Sequence, residues 1–223
     1  MIREANSIRA AILLAMTLVV GILVGGESRR MGFEKALIPV SGVTLIEQTA
    51  ALAATVSDRV VLLGQVGFEL PRLVAALRVI EDIHRGIGPM GGLESLMLAR
   101  PDDAWLLLAC DMPYLTGEAL QRLCTADDSG EAVAFRTGGA GGQWHPCCAL
   151  YRAEARPAVE AAIAARRHSL VALLSNLRTT VVDLAGAEAR WVENWNSPED
   201  LLRGTGLDDG ETGKRQNVKK SKP

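Results

Sequence analysis

Residues 17–35 read TLVVGILVGGESRRMGFEK, an apolar run followed by a loop rich in glycine and arginine. Its first half, Thr17–Val24, is uncharged and apolar, as in a parallel strand that is covered on both faces. Its second half, Gly25–Gly32, is a loop with two adjacent glycines and two adjacent arginines, and Lys35 follows it. Glycine allows backbone N–H groups to approach phosphate oxygens closely, and the cations add positive charge. The stretch therefore predicts a buried strand that leads directly into a phosphate-binding loop.

Two other glycine motifs that bind nucleotides are excluded by spacing and position. The loop lacks the GxxxxGK[ST] spacing of a P-loop, which disfavours kinase-type chemistry. Residues 86–92 read GIGPMGG and contain GxGxxG, the dinucleotide fingerprint. The sequence predicts no strand that leads straight into them, and Pro89 removes a backbone donor from the turn that would hold a pyrophosphate. We interpret residues 86–92 as the glycine-rich start of a helix beside a nucleotide.

The residues before the strand allow two interpretations. Ala10–Gly26 is uncharged and apolar and follows Arg3 and Arg9, a pattern that signal peptides also have. The run is shorter than the ~20 residues that a membrane span needs, and a buried parallel strand is apolar in the same way. We interpret residues 1–16 as an N-terminal extension ahead of a strand, with a targeting segment as the alternative.

Length and composition indicate one domain that has no preference for nucleic acid or membranes. The chain has 223 residues, of which 48% are hydrophobic, and its formal net charge is −2. A chain of this size buries roughly 70–75% of its unfolded surface, and a small net charge of mixed signs attracts no polyanion as a whole. From about Gly204 the sequence is rich in Gly and Asp and then in Lys. We expect a domain at residues 17–203 and a disordered Lys-rich tail at residues 204–223.

The rest of the chain alternates apolar runs with segments of helical spacing. Further strands are predicted at Arg59–Leu63, Val79–Ile80, Trp105–Cys110, Ala132–Phe135, Cys147–Tyr151 and Thr180–Leu184. Helices are predicted at Leu45–Ser57, Leu70–Leu77, Gly91–Ala99, Thr116–Cys124, Glu154–Arg167 and Leu170–Leu177. Such alternation indicates an α/β fold of three layers with a mostly parallel, Rossmann-like sheet. Ligands of such sheets bind at the carboxyl ends of the strands.

Two acidic residues stand at predicted strand ends. Asp82 follows the strand Val79–Ile80, and Asp111 follows the strand Trp105–Cys110 in the segment Cys110-Asp111-Met112-Pro113. A carboxylate beside a buried strand is costly unless a positive charge lies close to it. Mg²⁺ shared with nucleotide phosphates supplies that charge, so Asp111 is predicted as a metal ligand, with capping of the following turn as the alternative. Asp82 either shares that site or hydrogen-bonds a ribose or base.

The four cysteines, Cys110, Cys124, Cys147 and Cys148, are predicted to be reduced thiols. Cys147 and Cys148 are adjacent and cannot chelate like a CxxC pair, and no second pair has zinc spacing. Reduced thiols are typical of cytoplasmic proteins. We therefore expect a cytoplasmic protein in which the cysteines are structural.

Taken together, these segments resemble the molybdenum cofactor guanylyltransferases, which have a fold of the nucleotide-diphospho-sugar transferase type. The family opens with Leu-Ala-Gly-Gly-x-Ser-x-Arg-Met-Gly, an acidic residue and Lys, and residues 23–35 are similar to this signature. Residues 88–93 (GPMGGL) resemble its Gly-Pro-Leu-Ala-Gly segment, and residues 110–113 (CDMP) resemble its Asp-x-Pro metal segment. Residues 144–146 (WHP) resemble a His-Pro pair near the pterin, and residues 194–201 (NWNSPEDL) resemble Asn-x-Asn-Thr-Pro-Glu-Glu-Leu. The motifs keep the family's order and spacing over most of the chain.

The resemblance implies roles for individual residues. The predicted nucleotide-binding residues are Leu23, Val24, Gly25, Gly26, Arg29, Lys35, Asp82 and Asp111. Lys35 would neutralise phosphate charge and Asp111 would hold Mg²⁺, so these two are the predicted catalytic residues. Asp82 would bind the nucleoside. The predicted acceptor-binding residues are His145, Asn194 and Asn196.

The resemblance further implies a reaction: GMP from GTP is transferred to the phosphate of the molybdenum (pterin) cofactor, and pyrophosphate is released. The acceptor phosphate is already anionic, so no general base is required. This agrees with the histidines, because His84, His145 and His168 each have a surface or packing explanation, although His145 is also an acceptor contact by the resemblance. GTP, the pterin cofactor and molybdoenzyme chaperones are the expected partners, Mg²⁺ is the expected cofactor, and a cytoplasmic monomer is expected.

Three alternatives stay open at this point. Cytidylyl transfer to the same cofactor, or nucleotidyl transfer to a sugar phosphate, would keep the fold and change the substrates. A non-catalytic nucleotide-binding or partner-docking module would use the Lys-rich tail as its contact. A membrane-anchored protein would be held through Ala10–Gly26.

Overall fold

The computed structural model describes residues 17–24, 34–101, 104–127, 129–196 and 200. Its strands are β1 (Leu18–Leu23), β2 (Pro39–Val40), β3 (Val43–Thr44), β4 (Val60–Leu63), β5 (Arg78–Ile80), β6 (Ala104–Ala109), β7 (Ala132–Thr137), β8 (Gln143–Arg152) and β9 (Thr179–Leu184). Its α-helices are α1 (Leu45–Ala53), α2 (Pro89–Ala99), α3 (Gly117–Thr125), α4 (Arg156–Ala164) and α5 (Leu170–Asn176). Short 3₁₀ helices cover Lys35–Leu37, Ala153–Ala155 and Gly186–Val192.

The central sheet has the strand order β5-β4-β1-β6-β8-β7-β9 over the described residues. β1 is parallel to β4 and β6, β5 is parallel to β4, and β9 is parallel to β7. β8 is antiparallel to both of its neighbours, β6 and β7. The prediction of a mostly parallel α/β sheet is therefore confirmed, and β8 is the strand that departs from it.

Helices cover both faces of the sheet. α1 and α3 pack on one face through Ile46 and Leu120, and α2, α4 and α5 pack on the other through Leu93, Val159 and Leu173. β1 and β6 lie at the centre, where apolar side chains on both faces leave the water, which explains why these strands are apolar without alternation. The three-layer architecture is confirmed.

Neighbouring strands end at one level on the carboxyl edge of the sheet. Leu23 of β1 pairs with Leu63 of β4 and with Ala109 of β6. Ile80 of β5 pairs with Leu63 in turn. The first residue of β8, Gln143, lies at the same edge, because β8 runs in the opposite direction to β6. The ends of β1, β5 and β6 therefore lie with the start of β8 along one edge of the sheet.

The predicted strand at the start of the domain is confirmed, since Leu18–Leu23 forms β1. Residues 10–16 and 25–26 of the apolar run lie outside the described residues, as do the expected N-terminal extension 1–16 and the tail 204–223. In the part of the chain that the structure describes, we find no helix with the length and apolar character that crossing a membrane requires.

The predicted helix Leu70–Leu77 is wrong. The segment forms turns in which the N–H groups of Val74 and Ala75 donate to the Pro71 carbonyl. Val74 is buried, but Leu73 is 75% exposed, so the segment lacks the apolar stripe that holds a helix on a core. Local spacing alone did not reveal this.

Other predicted elements are present with shifted ends. The Thr116 side chain accepts a hydrogen bond from the Ala119 N–H and caps α3, as predicted. α4 ends before the predicted Arg167, since Arg166 has a positive φ of 54° and breaks the helix. α1 ends before the predicted Ser57, whose hydroxyl donates instead to the Leu18 carbonyl at 2.7 Å.

Candidate functional site

A buried acid lies just beyond β6 at the carboxyl edge of the sheet. Asp111 follows β6 in the turn that begins at Cys110. Its Oδ1 atom is buried and has no hydrogen-bond partner among the described residues. Its Oδ2 atom lies 3.6 Å from Nζ of Lys35. One cation at that distance leaves a buried carboxylate incompletely compensated, so the position suits a further positive charge.

Lys35 and Asn196 reach Asp111 from distant parts of the chain. Nζ of Lys35 donates to Oδ1 of Asn196 at 2.9 Å. The backbone N–H of Trp195 donates to the Asp111 carbonyl, also at 2.9 Å. The structure thus brings together three predicted site residues, which we call the Lys35–Asp111–Asn196 cluster.

Trp195 fixes the segment that carries Asn196. Its side chain is 2% exposed and packs in a small cluster with Ile38 and Leu45. Its ring meets that of Tyr114 edge to face, with centroids 6.0 Å apart. Sequence reasoning missed this anchor, although an aromatic residue between two asparagines was a visible signal. Packing of Trp195 holds Asn196 against Lys35 and Asp111.

Burial raises the pKa of the Asp111 carboxyl, and the nearby Lys35 opposes that rise. The folded protein therefore disfavours the charged carboxylate in the absence of a ligand. No group of three or more His, Cys, Asp or Glu side chains that could hold a metal occurs within the described ranges. An unpartnered carboxylate oxygen fits Mg²⁺, which is commonly held by one or two carboxylates together with phosphates and water. Asp111 thus fits an ion that it would share with a nucleotide.

A second buried acid lies beyond β5. Oδ1 of Asp82 is buried and lacks a partner among the residues described, and burial raises the pKa of this carboxyl while Arg85 lowers it. The Ile83 N–H donates to Oγ of Ser95 at 2.8 Å and fastens this loop to α2. Because β4 and β1 lie between β5 and β6, the strands that precede the two acids are about 14 Å apart, three strand spacings of ~4.8 Å. This arrangement suits contact with two parts of an extended nucleotide.

The glycines at the start of α2 allow this helix to approach the site. A Cβ atom on Gly92 would lie 2.7 Å from a Leu23 methyl group and 3.7 Å from Oδ1 of Asp82. A Cβ atom on Gly91 would lie 2.7 Å from the His84 carbonyl oxygen. The interpretation of residues 86–92 as a glycine-rich helix start is confirmed, since α2 begins at Pro89.

The end of β1 is tied to the neighbouring strand β4. Val24 is 6% exposed, and its N–H already donates to the Leu63 carbonyl at 3.0 Å. Its N–H is therefore engaged within the sheet, and Leu23 before it is half-buried. The other predicted residues of the loop, Gly25, Gly26 and Arg29, lie outside the described residues.

The predicted acceptor residues occupy the same edge. Nε2 of His145, near the start of β8, lies 2.9 Å from Oγ1 of Thr137 at the end of β7. Burial lowers the pKa of His145 and favours its neutral ring. Asn194 is exposed on the segment that also carries Asn196. The structure gives His145 a place next to the strand of Asp111.

An unpredicted group of planar side chains lies beside His145. Arg136 donates two hydrogen bonds to Asp183, from Nε to Oδ1 at 2.8 Å and from Nη2 to Oδ2 at 2.9 Å. The Arg136 guanidinium also lies over the Trp144 ring, 5.7 Å from its centroid. Trp144 lies in the segment 144–146 that resembles the family's His-Pro pair, but its grouping with Arg136 and Asp183 could not be predicted, because the three side chains come from strands that meet only in the fold.

A separate cavity of about 620 Å³ opens beside α2 and α4. Its walls include His84, Ile87, Glu94, Glu160, Ile163, Arg166 and His168, whereas Lys35, Asp82 and Asp111 do not line it. Nδ1 of His84 lies 2.6 Å from Oε2 of the buried Glu94. The His84 side chain therefore has a structural partner, in agreement with its predicted packing role.

The cysteines are free thiols. Burial raises the pKa of Cys110 and of Cys147 to about 12, with a further rise from Asp111 next to both. At neutral pH both groups stay protonated and are poor nucleophiles. Their environment is that of structural thiols.

Sequence comparisons identify one family, and solved structures of lower identity share the fold. The family described as "MobA-like NTP transferase domain" matches residues 20–181. A molybdenum cofactor guanylyltransferase of Xanthomonas euvesicatoria is 33% identical over 186 residues, which cover 82% of this chain and 91% of that protein. The solved molybdopterin-guanine dinucleotide biosynthesis protein A of Archaeoglobus fulgidus is 23% identical, with a TM-score of 0.69 over 86% of this chain and 98% of its own. The 2-C-methyl-D-erythritol 4-phosphate cytidylyltransferase of Thermus thermophilus is 16% identical and has a TM-score of 0.62, over 84% of this chain and 96% of its own.

Proposed function

The chain belongs to the MobA-like NTP transferase family, and we propose that it transfers GMP from GTP to the phosphate of the molybdenum-bound pterin cofactor, with release of pyrophosphate. The choice of guanine and of a pterin acceptor is supported by the names of relatives at about one-third identity. The observation that carries the proposal is the Lys35–Asp111–Asn196 cluster, where a carboxylate, a cation and an amide meet beside the end of β1.

The proposed chemistry is an in-line displacement. An oxygen of the acceptor phosphate forms a bond to the α-phosphorus of GTP while the bond from that phosphorus to the pyrophosphate oxygen breaks. Negative charge then collects on the departing pyrophosphate. Lys35 would neutralise it together with the backbone N–H groups of Gly25 and Gly26 and the Arg29 side chain. Asn196 would orient Lys35 by accepting its hydrogen bond.

Asp111 would hold Mg²⁺ through the carboxylate oxygen that lacks a partner among the described residues. When bound, the ion would supply positive charge at the α-phosphate. The need for a cation at this position is supported by the burial that raises the Asp111 pKa.

The two ends of the site would hold the two substrates. Asp82 would accept hydrogen bonds from the ribose or from the N–H groups of guanine, and the backbone of Leu23 and Val24 would contact the nucleoside. On the other side of Asp111, His145, Asn194 and Asn196 would contact the acceptor. The order of strands supports this arrangement, because the strand before Asp82 and the strand that carries His145 lie on opposite sides of β6.

We also propose the setting in which the enzyme works. The catalytic domain would span residues 17–203 of a cytoplasmic monomer, and residues 1–16 and 204–223 would not take part in the reaction. Free thiols suit a reducing compartment. GTP and the pterin cofactor would be the substrates, molybdoenzyme chaperones would be the protein partners, and neither nucleic acid nor a membrane would bind.

The test is pyrophosphate release by the full chain in the presence of Mg²⁺ and each of the four nucleoside triphosphates, with and without the molybdenum cofactor. We expect release with GTP that depends on the cofactor. Release with CTP alone would keep the mechanism and replace guanylyl by cytidylyl transfer. Release that requires a sugar phosphate would replace the acceptor. GTP binding without release under any condition would indicate a non-catalytic nucleotide-binding module.

A further inference from the structure

The edge of the sheet beyond Asp111 carries three planar side chains that the proposed mechanism does not use. Arg136 of β7, Trp144 of β8 and Asp183 of β9 come from strands that follow β6 in the sheet order. The C-terminal halves of β7 and β9 and the start of β8 lie at the edge where Asp111 lies, because β8 is the antiparallel strand between β6 and β7. We call these three side chains the Arg136 platform.

Arg136 is held in one orientation. Both hydrogen bonds to Asp183 are shorter than 3 Å and form a fork-to-fork pair. The Arg136 side chain is 19% exposed, whereas that of Asp183 is 53% exposed. A guanidinium fixed in this way presents a flat, positively charged surface, and such surfaces stack on aromatic rings.

The Trp144 ring is held as well. It is half-buried and packs against the core on the α2 side of the sheet, the side on which Leu23 and Cys147 also pack. The pairing of β7 with β8 is irregular beside Trp144, and the Tyr151 hydroxyl donates to the Pro146 carbonyl at 2.9 Å across this irregular stretch. The fold therefore leaves a partly exposed indole at the edge of the site.

The position of the platform matches the part of the acceptor that does not react. The acceptor phosphate must reach the α-phosphorus beside Asp111, and the nucleoside extends from there towards Asp82. Strand spacing places Trp144 about 5 Å and Asp183 about 14 Å from the line of β6, on the side away from Asp82. A ring system joined to the acceptor phosphate would lie at these distances.

We propose that the Arg136 platform binds the pterin ring system of the acceptor by stacking on Trp144 and on the Arg136 guanidinium, with Asp183 as a positioning residue for Arg136. Planar heteroaromatic rings stack on aromatic side chains and on guanidinium planes without a strict need for matched donors and acceptors. The inference rests on the proposed function, because it takes the acceptor to be a pterin phosphate.

The first test compares Trp144→Ala, Trp144→Phe and a matched control in full-length protein. Trp191 is the control. The Arg122 guanidinium lies over its ring in the same way, 5.5 Å from the centroid, but this ring packs on the opposite face of the sheet. In Trp144→Ala the KM for the molybdenum cofactor should rise on the order of 10-fold, with the KM for GTP within about twofold. Trp144→Phe should restore most of the affinity, and Trp191→Ala should change neither constant.

A merely structural role of Trp144 predicts a different result. Trp144→Ala would then lower the melting temperature and kcat without a selective change in the KM for the cofactor. Equal cofactor KM values in Trp144→Ala and Trp191→Ala would overturn the proposal. Asp183→Asn should raise the KM for the cofactor by a smaller factor than Trp144→Ala. In this variant the Trp144 ring is still present to stack on, and only the charged partner that orients Arg136 is lost.

A binding measurement separates this proposal from the proposed function. Titration of GTP-free protein with the molybdenum cofactor should quench tryptophan fluorescence, and Trp144→Phe should remove most of the quenching. Such quenching without pyrophosphate release would support the platform and contradict the proposed transfer. Cofactor-dependent release with an unchanged KM in Trp144→Ala would support the transfer and contradict the platform. Neither release nor quenching would contradict both.

Discussion

At the scale of single residues, Asp111 lies where its own charge is unfavourable without a ligand. Its side chain is 18% exposed, and the one cation beside it, among the described residues, is 3.6 Å away. Burial raises its pKa in the folded protein. Active sites are commonly less stable than they could be for this reason. A buried charge that lacks partners in the free protein destabilises it, but the same charge is available to bind a ligand.

We predict that Asp111→Asn stabilises the ligand-free protein at pH 7–8. The pKa of Asp111 in the folded protein lies above its value in the unfolded chain, near 3.9. Below about pH 3.9 the acid is neutral in both states and does not lower the free energy of unfolding. As the pH rises through the folded pKa, the acid becomes charged in its buried position and the free energy of unfolding falls. The melting temperature of the variant should exceed that of the wild type at pH 8, and the difference should shrink as the pH approaches 4. Thermal unfolding without Mg²⁺ over this range measures it.

Asp58→Asn is the control for this experiment, because Asp58 is exposed on a loop. It should leave the melting temperature almost unchanged at each pH. If both variants shift the melting temperature equally, the effect reflects net charge and the argument from burial fails.

We predict the opposite effect of Asp111 variants on turnover. Asp111→Ala and Asp111→Asn should each lower kcat by about 10²-fold or more. Without the carboxylate the site would no longer hold Mg²⁺, and the positive charge of this ion at the α-phosphate would be lost. Circular dichroism should show an intact fold. Near-normal pyrophosphate release by either variant would remove Asp111 from the metal site.

We predict that Lys35 and Asn196 act as a unit. Lys35→Ala should lower kcat/KM for GTP by about 10²-fold, or ~3 kcal/mol, and Asn196→Ala should lower it less. The double variant should lose little more than Lys35→Ala, because Asn196 works through its hydrogen bond to Lys35. Steady-state kinetics on the four proteins give the coupling free energy. Fully additive losses would show that the hydrogen bond to Lys35 is not the means by which Asn196 contributes to GTP use.

The sequence allowed Lys35 and Asp111 to be predicted and left their arrangement open. A cation after a glycine loop and an acid after an apolar strand are local signals that can be recognised from residue types. The contact of Lys35 with Asn196 joins positions 161 apart, and no local pattern encodes it. The roles of Asn194, Asn196 and His145 came from resemblance to a family and not from chemistry of the residues alone.

At the scale of elements, α2 owes its position to Gly91 and Gly92. A Cβ atom at Gly91 would meet a backbone oxygen, that of His84, which cannot move without the loop that holds Asp82. A Cβ atom at Gly92 would meet the end of the Leu23 side chain, which can rotate. The two positions therefore differ in how easily the surroundings can adjust.

We predict that Gly91→Ala destabilises the fold by about 1–3 kcal/mol and weakens GTP binding, because the loop from Asp82 to Gly88 must shift. Gly92→Ala should cost less stability. Gly67→Ala is the matched control, because a Cβ atom there would have no neighbour within 4 Å. Urea unfolding and GTP titration of the three variants check the order. Equal stability of Gly91→Ala and Gly67→Ala would contradict the close approach.

Strands were easier to predict than helices in this chain. The central strands are buried on both faces, so their apolar runs stand out, and β1 and β6 were placed within one or two residues. The segment Leu70–Leu77 has helical spacing, but Leu73 points to water. Whether such a segment becomes a helix depends on a surface to pack against, which the local sequence does not state.

At the scale of the whole molecule, the layer architecture was predictable and the direction of β8 was not. Alternating strands and helices imply helices on both faces of a parallel sheet. The connection from β7 to β8 is short and contains several glycines, which is a hairpin signal, but the burial pattern of a strand is the same in either direction. The Arg136 platform depends on this one reversal and could not be anticipated.

We predict that residues 17–203 form the complete catalytic unit. A chain cut to these residues should keep the melting temperature within about 2 °C and the kcat of the full chain, because the described core begins with β1 and the last described residue, Asp200, accepts a hydrogen bond from the Asn196 N–H. Unfolding and pyrophosphate release measure both. A large loss of kcat would assign a role to residues 1–16 or 204–223.

The strand order also bears on how such enzymes can diverge. Every strand from β1 to β6 precedes residue 112, and β7, β8 and β9 all follow residue 131. The donor and the acceptor would thus be recognised by two consecutive stretches of one gene, which meet in space where Lys35 contacts Asn196. Mutation or recombination downstream of α3 can exchange the acceptor while the inherited nucleotide specificity stays intact. A single scaffold can in this way give rise to paralogues that share a donor and differ in the molecule they modify.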